Sequence, residues 1–286
     1  MNSSNIKFSI DSILNSSESK NETNLKSLMP VKRIYFSGPY HHQNWSLPDS
    51  IIFYIAKHPL SAKLFQKLVQ MCKYFFIKNP IIIMDDSNQV FYDRGLEAVL
   101  EKVKKDANIS YKYWITGKEI TPTSKIIPHL YRVDVKQLNL FNQILSFNDF
   151  VFISKNIEII DLFLVNLKNE NGTIIPVEKL VEALPNLKSL SVNQCYGRYL
   201  ITSKTMKELL KIEHFSKINY IRFFGLTDAF DIETFYDYMK KNKLTRFYFV
   251  FSHPLSYAYL NRLNEIMDEI IETQNHDYKV PYMVIC

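Results

Sequence analysis

Residues that could carry out catalysis are few and scattered in this sequence. The phosphate-binding motifs G-x-x-x-x-G-K-[ST] and G-x-G-x-x-G are absent, and so is the zinc-protease motif H-E-x-x-H. Gly117 and Lys118 lack the glycine-rich loop that would cradle a phosphate. His214 and His253 have no triad-like partners in the sequence. We therefore predict that the protein is not an enzyme, although residues far apart in the sequence could still assemble an active site.

No cofactor or metal site is expected either. The pair His41-His42 has no cysteine or carboxylate at metal-ligand spacing. Asp85 and Asp86 follow the apolar run "IIIM", and we interpret them as a solvated turn. Cys72 falls on an apolar helical face, where a small core residue is expected rather than a nucleophile.

The composition indicates a folded protein with a small positive charge. Of 286 residues 47% are hydrophobic and 14% are aromatic, which is enough to form a sizeable core. The net charge of +6 comes from lysines and arginines that are interspersed with acids, so we do not expect nucleic-acid binding. No signal peptide is evident, and no apolar run approaches the ~20 residues that span a bilayer.

The three cysteines, Cys72, Cys195 and Cys286, are far apart and form no disulfide or metal pattern. Together with the missing signal peptide, this predicts an intracellular protein, cytoplasmic or nuclear, without membrane association.

Composition and periodicity divide the chain into five segments. The segments are a disordered tail (1–29), a linker (30–46), a helical module (47–80), a connecting α/β segment (81–132) and a repeat domain (133–286). The tail is rich in Ser and Asn and cannot bury enough apolar surface to fold alone.

The repeat domain is defined by one apolar template that recurs in six predicted strands, each but the last followed by a helical pattern. The template consists of an apolar residue, two variable residues, a second apolar residue, one variable residue and a third apolar residue. Its anchors are Val135/Leu138/Leu140, Ile157/Ile160/Leu162, Leu187/Leu190/Val192, Ile218/Ile221/Phe223, Leu244/Phe247/Phe249 and Val280/Met283/Ile285. A recurring strand–helix unit predicts a stack in which each unit buries its apolar face against its neighbours, giving a mostly parallel sheet.

The phrase "LPNLKSLSV", where a helix ends and a strand begins, resembles the leucine-rich repeat. The resemblance covers the C-terminal half in a degenerate form, because only Asn142 and Asn193 could supply the asparagine that usually follows the last anchor. An ordinary doubly wound α/β domain is the alternative, although it would not need the same template in every strand.

The helical module has more apolar surface than a small helical unit can bury. Leu47-Pro48-Asp49 predicts a helix start, with Asp49 or Ser50 as the cap, and His58-Pro59 predicts its end. A second helix follows, with apolar residues at helical spacing from Leu64 to Cys72.

This module resembles the F-box, a trihelical module that binds the Skp-type adaptor of cullin ubiquitin ligases. An F-box followed by degenerate leucine-rich repeats also resembles large nematode families. The resemblance implies a substrate-recognition adaptor whose adaptor-binding residues are Leu47, Pro48, Ile51, Ile52, Ile55, Leu64 and Leu68. The alternative is that the helices only cap the repeat domain.

In such a protein the repeat domain would bind a protein substrate. The variable positions between the anchors point away from the core and carry charged and aromatic residues suited to protein recognition. We predict that the substrate-binding residues include Lys136, Asp161, Lys188, Arg222, Arg246 and Tyr248.

The N-terminal tail contains one apolar patch, "FSIDSIL". It resembles the engrailed-homology motif through which repressors bind Groucho-type corepressors. Phe8, Ile10, Ile13 and Leu14 would then be corepressor-binding residues, and the alternative function is a transcription-associated interaction protein.

Overall fold

The computed structural model describes residues 44–85, 111–194, 201–252 and 254–286, and they form an α/β fold with mostly parallel sheets. The predicted tail, most of the linker and residues 86–110 of the connecting segment, including Asp86, lie outside these residues, as do Cys195 and His253.

Eight α-helices and twelve strands occur in these ranges. The helices are α1 (Asp49–Lys57), α2 (Ala62–Met71), α3 (Lys73–Lys78), α4 (Phe147–Ser154), α5 (Val177–Glu182), α6 (Thr205–Leu209), α7 (Ile232–Lys241) and α8 (Tyr257–Glu272). The strands are β1 (Ile81–Met84), β2 (Lys112–Thr116), β3 (Glu119–Ile120), β4 (Leu130–Asp134), β5 (Gln137–Phe141), β6 (Ile144–Ser146), β7 (Ile159–Phe163), β8 (Asn166–Lys168), β9 (Ser189–Asn193), β10 (Tyr220–Leu226), β11 (Arg246–Phe251) and β12 (Tyr282–Ile285).

Seven strands form one large sheet in the order β12-β11-β10-β9-β7-β5-β3. All of its neighbours pair in parallel, including β9 with β10, as the sequence predicted. A doubly wound sheet reverses its strand order at a switch point, whereas this order follows the sequence from one edge to the other. The doubly wound alternative is therefore wrong for this sheet.

The apolar anchors lie side by side across the sheet, which explains why the template recurs. The second anchors of five strands form one continuous buried row: Leu138, Ile160, Leu190, Ile221 and Phe247. The third anchors form the next row: Leu140, Leu162, Val192, Phe223 and Phe249. Each strand thus buries its anchors against those of its neighbours.

Helices α4 to α8 cover one face of this sheet. Each lies in a connection between neighbouring strands, and all connections advance in the same direction, which places the helices on one side. Their apolar residues share one core with the anchors; for example, the Phe235 ring centroid lies 4.5 Å from that of Phe249. The alternate residues of the strands point to the opposite face, and none of their apolar side chains belongs to that core. We call this opposite side the open face.

The template fails at the first anchor of the last two strands and in the pairing of β12. In β12 the pairing joins Phe249 to Met283, so β12 is offset by two residues from the alignment that the template implies. The first anchors Leu244 and Val280 are 44% and 50% exposed. Thr245 is buried instead of Leu244, because its hydroxyl donates a hydrogen bond to the Ile218 carbonyl at 2.6 Å.

The helix starts differ in whether a side chain caps them. Ser146 accepts a hydrogen bond from the Asp149 N–H, and Asp231 accepts one from the Thr234 N–H, both at 3.0 Å. The predicted cap at Asp49 or Ser50 is wrong, because the N-cap residue of α1 is Pro48, which makes no side-chain cap; Lys204, the N-cap residue of α6, makes none either.

The smaller sheets come partly from segments that the template does not cover. β3, in the connecting segment, adds an edge strand to the large sheet, and β6 and β8 pair in parallel beside it. Among the helices that the structure describes, none has the length and apolar character needed to cross a membrane.

A three-stranded parallel sheet, in the order β1-β2-β4, separates two hydrophobic cores. Trp114 of β2 is fully buried on the side of the helical module, in a cluster with Ile52 and Phe65. Its neighbours Tyr113 and Ile115 belong to the core of the large sheet. The helical module therefore joins the rest of the described protein through this three-stranded sheet, which contributes residues to both cores.

The position of Gly225 within β10 gives a test of the strand packing. Gly225 has a φ of +76°, and a Cβ at this position would collide with the backbone oxygen of Gln194. We expect Gly225→Ala to lower the free energy of unfolding by about 3 kcal/mol or more, because backbone strain and a clash combine. Urea denaturation measures the loss.

Gly172 provides the matched control. It has a similar φ of +80°, but a Cβ added there would have no atom within 4 Å, so only the backbone strain applies. Gly172→Ala should cost about 1 kcal/mol. Equal losses in the two variants would contradict the close approach of Gly225 to Gln194.

Candidate interaction surfaces

The helical module has a core of its own, so its shape does not depend on a partner. Ile52 and Ala56 of α1 pack with Phe65 of α2 and Phe75 of α3, and all four are at most 5% exposed. The Ser61 hydroxyl caps α2 by accepting a hydrogen bond from the Leu64 N–H at 3.2 Å. These contacts make the module a rigid support for its surface residues.

Helix α1 exposes large apolar residues beside that core. Ile51 is 46% exposed and Tyr54 is 63% exposed, and the preceding Leu47 is 47% exposed. Ile51 and Tyr54 are three residues apart and therefore lie on one side of the helix. Ile55 lies on the same side but is half-buried against the module core.

Helix α2 presents a second apolar line. Leu64, Leu68 and Met71 are spaced four and three residues apart and therefore share one side of the helix. Met71 is 78% exposed and Leu64 is 38% exposed, whereas Leu68 is half-buried. Leu60, in the turn between the helices, is 82% exposed.

The predicted adaptor-binding residues therefore fall into two groups. Leu47, Pro48, Ile51 and Leu64 are exposed and can contact a partner directly. The others support the module from within: Ile52 is buried, and Ile55 and Leu68 are half-buried.

The open face of the seven-stranded sheet is the second candidate surface. Its middle row runs across the strands as Asn139, Asp161, Ser191, Arg222, Tyr248 and Tyr282. Three of the predicted substrate-binding residues, Asp161, Arg222 and Tyr248, thus share one row. Arg246 lies in the adjacent row, directly opposite Tyr220.

Aromatic rings stabilise the part of the open face formed by β10, β11 and β12. The rings of Tyr248 and Tyr282 are stacked with centroids 4.5 Å apart, and burial, followed by the neighbouring Tyr282, raises the pKa of the Tyr248 hydroxyl. The guanidinium carbon of Arg222 lies 4.7 Å from the ring centroid of Phe224, which is a cation–π distance. This part of the face is therefore aromatic and positively charged.

Lys136 and Lys188 do not lie on the open face. They occupy the edge of the sheet where the strands begin, and both pair with Glu158. Their ammonium nitrogens lie 2.5 and 2.6 Å from the Glu158 carboxylate oxygens. The hydrogen bonds from the two lysines hold the pKa of Glu158 at about 2. These three residues bridge β5, β7 and β9 rather than presenting free charges.

Comparison with known proteins gives no relative from which a function could be transferred. No protein-family model, curated protein or solved structure matches the chain. The function must therefore be argued from the two surfaces themselves.

Several surface residues escaped the sequence analysis. Tyr54, Leu60 and Met71 are exposed in the module, and Phe141 and Phe163 are 49% and 40% exposed on the open face. The sequence pattern does indicate three of these residues. Met71 follows Leu64 by seven residues, which places both on one side of a helix, and Phe141 and Phe163 each directly follow a third anchor, which places them on the opposite face of the sheet.

Two other sequence predictions are placed as follows. The tail motif of Phe8, Ile10, Ile13 and Leu14 lies outside the described residues. Within the described ranges, no group of three or more His, Cys, Asp or Glu side chains is arranged to hold a metal ion.

The Glu158 ion pairs predict a pH-dependent contribution to stability. The folded-state pKa of about 2 lies below the reference value of 4.5, so the contribution is complete above pH 4.5 and is lost as the pH falls toward 2. We expect Glu158→Gln to unfold at lower urea concentration than wild type at neutral pH. The difference should shrink as the pH is lowered through this window.

Glu272→Gln is the control for this experiment, because Glu272 is exposed and has no ion pair with any described residue. It should match wild type at every pH. A Glu158→Gln deficit that persists unchanged at the acidic end would show that the lysine pairs are not its cause.

Proposed function

We propose that this protein is a substrate-recognition adaptor of a Skp/cullin-type ubiquitin ligase, with no catalysis of its own. In this proposal the helical module (47–80) acts as an F-box that binds the Skp-type adaptor. The seven-stranded sheet and its helices act as a degenerate leucine-rich-repeat domain that binds a protein substrate on the open face. The protein would hold the substrate near the ligase, and other components would transfer ubiquitin.

The observation that carries the proposal is the apolar surface of the helical module. The module has a complete core around Phe65, yet Leu47, Ile51, Leu64 and Met71 are at least 38% exposed. Exposed large apolar residues on a rigid support are typical of a protein-binding surface. A module that only capped the repeat domain would need only the side that is already buried. Its exposed apolar residues would then have no role.

The sheet supports the second half of the proposal. Its strands follow the sequence order, each strand from β5 to β11 is joined to the next strand of the sheet by a helix on one side, and the anchors stay in register through five strands. Such a stack leaves an extended face free for a partner, which suits substrate binding.

The connection between the two halves also fits an adaptor. Trp114 is packed into the module core, and its indole N–H donates a hydrogen bond to the Asp134 carboxylate at 2.8 Å. The same carboxylate accepts a hydrogen bond from Arg132, also at 2.8 Å. A rigid junction would keep a bound substrate at a fixed position relative to the ligase.

Substitutions on the exposed side of the module test the proposal. Ile51→Ala and Leu64→Ala should each weaken binding of the full chain to a purified Skp-type adaptor by about 30-fold, which corresponds to about 2 kcal/mol. The double substitution Leu47→Ala/Pro48→Ala should weaken it at least as much. Calorimetric titration measures the affinities.

Phe53→Ala is the matched control, since Phe53 is 45% exposed, almost the same as Ile51, but lies on another side of α1. Its affinity should equal that of wild type. The proposal fails if folded wild-type protein does not bind the adaptor, in which case the module only caps the repeat domain. It also fails if Phe53→Ala weakens binding as much as Ile51→Ala.

A further inference from the structure

The arginines of the described residues differ in how their charges are compensated. Arg132 pairs with Asp134 at 2.8 Å, and Arg262 pairs with three glutamates. The two arginines of the open face, Arg222 and Arg246, have no ion pair with any residue in the described ranges. Two uncompensated guanidinium groups are therefore concentrated on one part of one face.

These two arginines are diagonal neighbours on adjacent strands. Arg222 of β10 lies opposite Tyr248 of β11, and Arg246 is two residues before Tyr248. The strand spacing and the rise per residue place the two Cβ atoms about 8 Å apart. This separation suits two carboxylates from one extended segment, or one carboxylate held between both arginines.

Arg222 has hydrogen-bonding capacity that no described residue uses. Its Nε atom is buried and forms no hydrogen bond with any described residue. Its guanidinium group is held over the ring of Phe224, which fixes its position in advance. Guanidinium groups of this kind bind carboxylates with paired, charge-assisted hydrogen bonds.

Aromatic residues next to the arginines supply apolar contact area. Tyr248 and Tyr282 are stacked beside Arg222, and Tyr282 is 54% exposed. Tyr220 lies on the other strand, opposite Arg246. Rigid aromatic side chains and arginine are the residue types that contribute most to protein interfaces.

We propose that the open face over β10, β11 and β12 binds an extended acidic segment of a partner protein. Its carboxylates pair with Arg222 and Arg246, and its apolar side chains pack on Tyr248 and Tyr282. This inference rests on the proposed substrate-binding role of the open face and names the chemical class of the substrate.

The charge pattern favours an acidic protein segment over a nucleic acid. The same face carries carboxylates further along, at Asp161 of β7 and Glu119 of β3. A polyanionic backbone crossing the sheet would be repelled there, whereas a protein segment can place its acidic residues at one end only. The two uncompensated arginines would also neutralise only about two phosphates.

The test is selection of peptides from a display library of random short sequences on the full-length chain. Peptides enriched by wild type should contain an excess of Asp and Glu together with apolar residues. For one enriched peptide, Arg222→Gln/Arg246→Gln should weaken binding by at least about tenfold, measured by fluorescence polarisation. Added salt should weaken wild-type binding in the same direction.

Two controls separate the local effect from net charge and folding. Lys155→Gln/Lys241→Gln removes the same charge from exposed positions at the ends of α4 and α7 and should leave the affinity unchanged. The same peptide with its acidic residues replaced by Asn and Gln should lose binding to unaltered wild type, a readout that needs no protein variant.

The inference is overturned if selection yields no acidic enrichment, if the two lysine substitutions weaken binding as much as the arginine substitutions, or if the amide peptide still binds. Binding of single-stranded oligonucleotides in preference to acidic peptides, lost in Arg222→Gln/Arg246→Gln, would overturn it in favour of nucleic acid. Because no adaptor is present, failure here leaves adaptor binding by the helical module standing, and failure of adaptor binding leaves this result standing.

Discussion

The three central residues of strand β2 have no side that faces water, and the packing of the helical module with the rest of the described fold depends on this. Tyr113, Trp114 and Ile115 follow one another in the chain, yet all three are at most 4% exposed. Trp114 is held by the helices before it, and its two neighbours by the large sheet after it. A strand buried on both faces cannot twist or slide without disturbing two cores at once. The helical module is therefore not a separate domain on a linker but part of the same packed unit.

The large sheet follows a simpler rule, in which each strand pairs mainly with strands close in sequence. Apolar anchors face the helices, and the residues between them are left for other roles. Those roles differ along the sheet. At the edge where the strands begin, Glu158 pairs with Lys136 and Lys188 and neutralises their charge within the protein. On the open face, Arg222 and Arg246 have no ion pair with any described residue. A stacked fold can change its open face without altering its core, because the two sets of residues alternate along each strand.

Much of the fold was predictable because the apolar pattern is repeated. The predictions failed where the local pattern is ambiguous and where a contact joins residues far apart in the sequence. Ile51 and Ile52 are adjacent and chemically identical, so spacing alone could not decide that Ile52 is the buried one. Leu244 matched the template, but Thr245 is the buried residue, with its hydroxyl donating a hydrogen bond to the Ile218 carbonyl just before β10. The pairing of Glu158 with Lys188 joins residues 30 positions apart, and no local signal reveals it. The open face was found in outline, since alternation defines it, but the ion pairs at the edge where the strands begin depend on strand order.

The placement of the two tryptophans has a spectroscopic consequence. The chain contains only Trp45 and Trp114. Trp114 is buried in the core of the helical module, and Trp45 packs against that core, with its ring centroid 6.1 Å from that of Tyr74 and 5.7 Å from that of Phe75. The aromatic core under β10 and β11 consists of phenylalanine and tyrosine. Tryptophan emission therefore reports on the module and its junction with β2, while far-ultraviolet circular dichroism is dominated by the rest of the chain. Comparing the two signals during unfolding would show directly whether both parts lose structure together.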